Sequence, residues 1–164
     1  MKVIEGTVWS FGDNVNTDLI VPGRYLLSDV EEVAQHVMEG IRPEFAAQMS
    51  DGDILVAGSN FGGGSSRELA AIAIKHAGAA AIVAVSFARI YFRNAINVGL
   101  PVVECPEARS ISEGTRLRID LSAGVMDDLT SGRRLQFAPF EGDILRILES
   151  GGLMGYLERK RKRG

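Results

Sequence analysis

Apolar and polar positions along the chain fall into short blocks whose period changes several times. Residues 2–10 alternate closely enough to predict a strand, and Gly12-Asp13-Asn14 turns it. Val30 to Met38 has helical spacing and stops at Gly40, and Pro43 opens a second short helical piece to Met49. Asp53-Ile54-Leu55-Val56-Ala57 is a continuous β-branched and apolar run, the mark of a buried strand. Leu69 to Ala77 is rich in Ala and Ile and predicts a helix that stops near Gly78. Ala80–Val85 then predicts a strand, Phe87–Asn97 a helix and Pro101–Glu104 a strand. This alternation predicts an α/β fold with a partly parallel, helix-covered sheet. From Arg116 the pattern alters: Arg116–Leu121 alternates strictly, Ser122-Ala123-Gly124 turns, Val125–Leu129 returns, and Ser131-Gly132 turns again. That is a β-meander with one solvated face. Pro139 opens a helix through Leu148, and Gly151-Gly152 breaks it before a last helical stretch. No repeat or long linker divides the chain, so residues 1–164 are expected to form one domain, with 159–164 a flexible basic tail.

Between the strand at 53–57 and the helix at 69–77 lies Gly58-Ser59-Asn60-Phe61-Gly62-Gly63-Gly64-Ser65-Ser66-Arg67-Glu68. Glycines let a backbone approach a ligand closely and expose successive N–H groups. A helix start adds unpaired N–H groups and the positive end of the macrodipole, so this turn is built to hold an anion. It lacks the lysine of a P-loop, and Arg67 stands where a dinucleotide fingerprint needs its third glycine. Arg67 points instead to a carboxylate, which its planar fork grips with two hydrogen bonds. The alternative is plain capping, since Ser65-Ser66-Arg67-Glu68 has the form of a capping box. Three successive glycines exceed what a cap requires.

Length, apolar fraction and a net charge of −3 describe an ordinary globular domain rather than a nucleic-acid binder. The one basic run, Arg159-Lys160-Arg161-Lys162-Arg163, reads as a solvated terminus; RNA binding is its alternative. Lone Cys105 excludes an internal disulfide framework and a multi-cysteine metal site, and a buried structural thiol is expected. The start lacks a signal-peptide core and no run spans a bilayer, so a cytoplasmic protein is expected. His36 and His76 read as helix-surface residues, His76 beside a helix C-terminus, which argues against a Ser-His-Asp hydrolase. Arg89 and Arg93, four apart, share a helix face and suit an ion pair or a subunit contact.

Three motifs in order carry a resemblance. Asn60-Phe61-Gly62-Gly63-Gly64-Ser65-Ser66-Arg67-Glu68 resembles the substrate motif of the aconitase superfamily's swivelling β/β/α domain. Asn14-Val15-Asn16-Thr17-Asp18-Leu19-Ile20-Val21-Pro22-Gly23-Arg24-Tyr25-Leu26 resembles its N-terminal motif. Residues 86–101, Ser86-Phe87-Ala88-Arg89-Ile90 through Gly99-Leu100-Pro101, resemble its second helix and following strand. Length, motif order and Gly151-Gly152-Leu153-Met154 are similar to the small subunits of 3-isopropylmalate dehydratases.

That resemblance implies a hydro-lyase interconverting 2- and 3-isopropylmalate through an unsaturated intermediate, a step of leucine biosynthesis. It puts the base on Ser65 and substrate contacts on Ser66 and Arg67, beside the backbone of Gly63 and Gly64. Arg24 is a candidate second carboxylate grip. Leu27 follows Tyr-Leu in the family's substrate loop, where homoaconitase-type relatives tend to place arginine; leucine suits a branched alkyl group and leaves a carboxylate unpartnered. The alternative is that Leu26 and Leu27 anchor the loop to the core. The family's Lewis acid is a [4Fe–4S] cluster on three cysteines, so this chain should bind no cofactor and should work only with a cluster-bearing large subunit. Many relatives have cysteine at the position of Gly63 and histidine at that of Leu69. Those departures keep citramalate, dimethylmalate and homoaconitate open as substrates, and a non-catalytic anion- or RNA-binding module is the reading from another class.

Overall fold

Strand β1 (Val3–Ser10) joins two kinds of sheet. On one side it runs parallel to β2 (Ile54–Ala57), with Val8 opposite Ile54 and Ser10 opposite Val56. On the other it runs antiparallel to β5 (Arg116–Asp120), with Val3 opposite Asp120 and Thr7 opposite Arg116. Strands β3 (Ala81–Ala84) and β4 (Val102–Glu104) continue the parallel side, and β6 (Val125–Asp128) and β7 (Arg134–Gln136) the antiparallel side. The result is one seven-stranded sheet in the order β4-β3-β2-β1-β5-β6-β7. A computed structural model gives these positions and describes residues 3–65 and 67–163.

The burial of each strand follows its sequence pattern. Every residue of β2 and β3 is buried, as an apolar run covered on both faces must be. In β5 to β7 buried and exposed residues alternate, with Leu117, Ile119, Met126 and Leu135 turned inward. This is the meander with one wet face.

Helices α4 (Glu68–Ala77) and α5 (Arg89–Asn97) follow β2 and β3. They pack side by side, with α2 (Val30–Ala34) against α4 and α6 (Gly142–Glu149) against α5. Ala70, Ala71, Ala73 and Ile74 form the buried stripe of α4; three of the four are alanines, which let the helix approach the sheet closely. It ends as expected at Gly78, in the left-handed conformation at φ 115°, whose N–H bonds back to the Ile74 and Lys75 carbonyls. The Lys75 ammonium donates to the carbonyls of Val98 and Gly151, so one cation compensates the C-terminal ends of α5 and α6 together.

Two expectations need correction. The helical spacing at 30–38 is realised as helix only to Ala34; turns follow, and Met38 adopts φ 64° while its side chain is fully buried. The apolar residues there do face the core, but turns place them. The helix expected from Pro139 begins at Gly142; before it, the Phe140 N–H bonds to the Leu121 carbonyl and ties the segment to the end of β5. The basic run at 159–164 is helical to Arg163 as the end of α7 (Leu153–Arg163), the last helical stretch that the sequence pattern predicts. Lys160 lies over the Tyr156 ring, a contact at helical spacing, and Arg159 reaches back across the Gly151-Gly152 break to the Ser150 hydroxyl. Gly164 lies outside the described residues.

Candidate active site

Three loops leave the C-terminal ends of β1, β2 and β3 and are stitched together by backbone bonds. The loop after β1 meets the glycine loop through Asn14 N–H to the Ser59 carbonyl (2.8 Å), Gly62 N–H to the Val15 carbonyl (2.7 Å) and Thr17 N–H to the Gly63 carbonyl (2.9 Å). The Thr17 hydroxyl donates to the Ser65 carbonyl at 3.0 Å. Asn14 and Asn60, both left-handed, face each other with the Asn60 amide donating to the Asn14 side-chain oxygen. The loop after β3 joins through Phe61 N–H to the Ser86 carbonyl and Ala88 N–H to the Phe61 carbonyl. A fourth tie is ionic: the Asp13 carboxylate accepts from Ser59 N–H and from Arg109 at 2.7 Å. The Ser59 N–H and then Arg109 hold the Asp13 carboxyl below the usual carboxylate range, so this tie stays charged at neutral pH.

Gly62 is where the loop needs glycine most. Its φ is 84°, and a Cβ there would stand 2.2 Å from Cγ of Tyr91, which lies buried directly beneath. Gly64 also has positive φ, 94°. Gly63 lies between two left-handed glycines, and among the described residues the N–H groups of Gly63 and Gly64 donate to no acceptor.

The Ser65 and Arg67 side chains line a cavity of about 190 Å³ together with Thr17, Gly62, Gly64 and the first turn of α5. That volume lies below the roughly 300–1,000 Å³ usual for a complete ligand site. A cavity of this size covers part of a substrate rather than all of it. Ser65 is exposed, and its hydroxyl makes no hydrogen bond among the described residues. Arg67 is mostly buried; its Nη1 lies 3.2 Å from Asp18 of α1 (Thr17–Ile20) yet has no properly directed hydrogen bond. An arginine held by one carboxylate with a buried donor still free is set to take another acceptor. Replacing Arg67 by Lys keeps the charge and removes the fork, and is expected to raise KM about 10–100-fold, the worth of one charge-assisted hydrogen bond. Steady-state kinetics of the assembled enzyme would show it, and an unchanged KM would remove Arg67 from substrate binding.

Ser65 does not cap the helix, and Ser66 lies outside the described residues. Helix α4 starts at Glu68, its N-cap is Arg67, and among the described residues no side-chain hydrogen bond caps it. Ser65 therefore stands two residues outside the helix, freed from the bond a cap would make. The expected contact at Ser66 lies outside the described residues.

The structure gathers Ser65, Arg67 and Gly64 around one cavity, and Gly63 supports it from below, bonded to Thr17. Arg24 and Leu27 are not in its lining. Arg24 pairs with Glu39 at 2.5 Å and covers the Tyr25 ring. Leu27 is fully exposed, so it anchors nothing to the core. Leu69, partly buried, packs against the core. His76 is exposed in the last turn of α4, while His36 stacks on Tyr25 at 4.1 Å.

Thr17 and Asp18 were the residues hardest to see beforehand. Asn16-Thr17-Asp18-Leu19 reads locally as a helix start, and Asn16 does cap α1 by accepting from Leu19 N–H. Nothing local tells that Thr17 and Asp18 also hold Ser65 and Arg67, nearly fifty residues on.

A larger cavity, about 600 Å³, lies toward the N-terminal end of β2. Most of its charges are matched, Arg42 with Glu113 and Arg116 with Glu5, and Asp53 accepts from Trp9 and from Ser50 N–H. It lies at the wrong end of the strands, since in open parallel sheets ligands bind at their carboxyl ends. The described residues contain no cluster of three or more metal-ligating side chains. Cys105 is buried, its thiol near Glu107, and burial pushes its pKa up to about 11. A lone neutral thiol does not fit an iron–sulfur cluster. Among the described residues no helix is long and apolar enough to cross a membrane.

Comparison with known proteins gives consistent findings. Residues 15–108 match the Aconitase C-terminal domain family. The chain is 52% identical over 159 residues to the 3-isopropylmalate dehydratase small subunit 1 of Thermotoga maritima, covering 96% of each. It is 54% identical over 155 residues to the methanogen homoaconitase small subunit of Methanothermobacter thermautotrophicus, covering 94% of this chain and 90% of that one. The crystal structure of a 3-isopropylmalate dehydratase (leuD) from Methanocaldococcus jannaschii superposes with a TM-score of 0.92 at 42% identity, over 99% of this chain and 100% of that one.

Proposed function

The chain belongs to the aconitase family, and from that premise we propose that it is the small subunit of a hydro-lyase of the 3-isopropylmalate dehydratase type. The observation that carries the reading is the exposed, unbonded Ser65 hydroxyl in one cavity with the incompletely partnered Arg67.

The reaction moves a hydroxyl between neighbouring carbons by removing water and returning it with the opposite regiochemistry. It needs a base for a carbon-bound proton, cationic grips for carboxylates, and a Lewis acid for the departing hydroxyl. Ser65 Oγ is the base: as alkoxide it takes the proton from the carbon next to a carboxylate, and it returns that proton on rehydration. Unengaged N–H groups at Gly63 and Gly64 and the nearby guanidinium of Arg67 favour the anionic oxygen. Arg67 orients the substrate by one carboxylate, and Ser66 is a second contact by resemblance. The Lewis acid is assigned to a large subunit carrying a [4Fe–4S] cluster, since this chain's donor set does not fit one. A cavity of this size accords with a partner closing it. A reducing cytoplasm suits this assembly, and neither nucleic acid nor membrane is needed.

Substrate choice is assigned to the loop that carries Leu27. An exposed leucine there offers apolar contact to an isopropyl group and no partner to a third carboxylate. The similarity to a homoaconitase small subunit favours a second reading, a homoaconitate-type substrate. Leu27→Arg separates the two. It is expected to shift the kcat/KM ratio toward a tricarboxylate by roughly tenfold or more, the worth of one charged hydrogen bond. No shift would assign specificity elsewhere.

The direct test is co-expression with the large subunit, anaerobic cluster reconstitution, and absorbance of the unsaturated intermediate formed from 2-isopropylmalate, citramalate or homocitrate. Turnover that needs both chains and prefers 2-isopropylmalate supports the reading. Preference for another malate keeps the chemistry and changes the substrate; no turnover with an intact cluster overturns both.

A further inference from the structure

We infer that Arg89 is a second carboxylate-gripping residue of the Ser65 cavity, so that a 1,4-dicarboxylate is held between guanidinium groups from two different elements. The inference rests on the proposed reaction class for the identity of its ligand. Its evidence is the lining of the cavity and the state of the arginines.

Arg89 and Arg67 both line the cavity beside Ser65, and none of its described lining residues is acidic. Arg89 is exposed and forms no ion pair among the described residues. Arg24, Arg42, Arg109, Arg116 and Arg134 are each held by a carboxylate; Arg93 and Arg118 share with Arg89 the lack of an ion pair among the described residues, but only Arg89 of the three lines the cavity. Arg24, the second grip expected from sequence, is among those held and lies outside the cavity. Arg89 is also placed against local electrostatics. It is the first residue of α5, where the macrodipole is positive, and its cap, Ala88, supplies no side-chain acceptor. A cation at a helix N-terminus, facing another cation, is disfavoured until an anion lies between them. With an anion there, the two guanidinium groups and the unpaired first-turn N–H groups of α5 converge on it. A dianion with carboxylates on neighbouring carbons matches two grips flanking one base.

The test uses the assembled enzyme with Arg89→Gln, Arg89→Lys and, as control on the same helix outside the cavity, Arg93→Gln. Kinetics are combined with calorimetric binding of 2-isopropylsuccinate, a dicarboxylate without the hydroxyl, and 4-methylpentanoate, a comparable monocarboxylate. Arg89→Gln is expected to raise KM and the diacid Kd by about 10–100-fold, with kcat within about threefold and monoacid affinity unchanged. Arg89→Lys should recover part of the loss, and Arg93→Gln should match wild type. Wild-type turnover reports on the functional reading alone, whereas the ratio of diacid affinities reports on Arg89 whether or not turnover is seen. Equal losses for diacid and monoacid, equal effects of Arg89→Gln and Arg93→Gln, dissociation of the subunits by Arg89→Gln in sedimentation, or no diacid binding by wild type would each overturn the inference.

Discussion

Ser65→Ala in the assembled enzyme is expected to lower kcat by roughly 10²–10⁴-fold, the usual worth of a positioned general base. Assembly and thermal stability should stay as in wild type. The structure separates these two outcomes cleanly. Ser65 contributes its carbonyl to the fold, accepting from the Thr17 hydroxyl at 3.0 Å, and alanine keeps that carbonyl. Its hydroxyl is exposed and bonds to nothing among the described residues, so its removal leaves no unsatisfied partner behind. Turnover, sedimentation and a melting curve on the same preparation suffice. A variant with wild-type turnover would remove Ser65 from the chemistry, and one that no longer assembles would make it a contact residue.

Gly62→Ala should damage the fold itself. The new Cβ would sit 2.2 Å from Cγ of Tyr91, at a backbone φ of 84° that L-residues rarely adopt. The left-handed conformation costs about 1–2 kcal/mol and overpacking about 1–3 kcal/mol. Tyr91 has little room to yield: its ring meets Phe61 edge-on at 5.4 Å, and its hydroxyl reaches the Ala70 carbonyl. The sum, about 2–5 kcal/mol, is a large part of a domain's stability and corresponds to a melting-temperature loss of roughly 5–20 °C. Gly63→Ala is the informative partner. Its Cβ would meet only the Asn60 amide, a side chain that can turn aside, and its φ is not left-handed. A mild effect there beside a severe one at Gly62 would place the steric demand of the loop on Gly62. Equal melting temperatures for Gly62→Ala and wild type would mean that Tyr91 does not support the loop.

Much of this molecule was legible without coordinates. Strong local signals survived: the all-apolar β2 and β3, the alternating β5, and the Ala-rich α4 with its glycine stop each formed where their period predicted. The glycine loop also declared itself, because positive φ and close approach leave only glycine as a solution. Where periodicity failed, tertiary contact had replaced local structure. Residues 35–38 carry helix spacing but are turned, because burying Met38 and bonding its N–H to the Ile20 carbonyl outweighed continuing the helix.

What the sequence determined by itself is the set of elements and the glycine-rich strand-to-helix loop, with Ser65 as the base the resemblance implies and the proposed mechanism uses. Only the tertiary structure decided that β1 would join a parallel and an antiparallel half into one sheet. It alone decided that Asp18 would hold Arg67 and that Arg89, rather than Arg24, would share the cavity. The reason is the range of the forces involved. Periodicity, caps and backbone sterics act within a few residues and are written in the local sequence. Strand pairing and the meeting of charged side chains join residues tens of positions apart, and packing the core settles which of them meet.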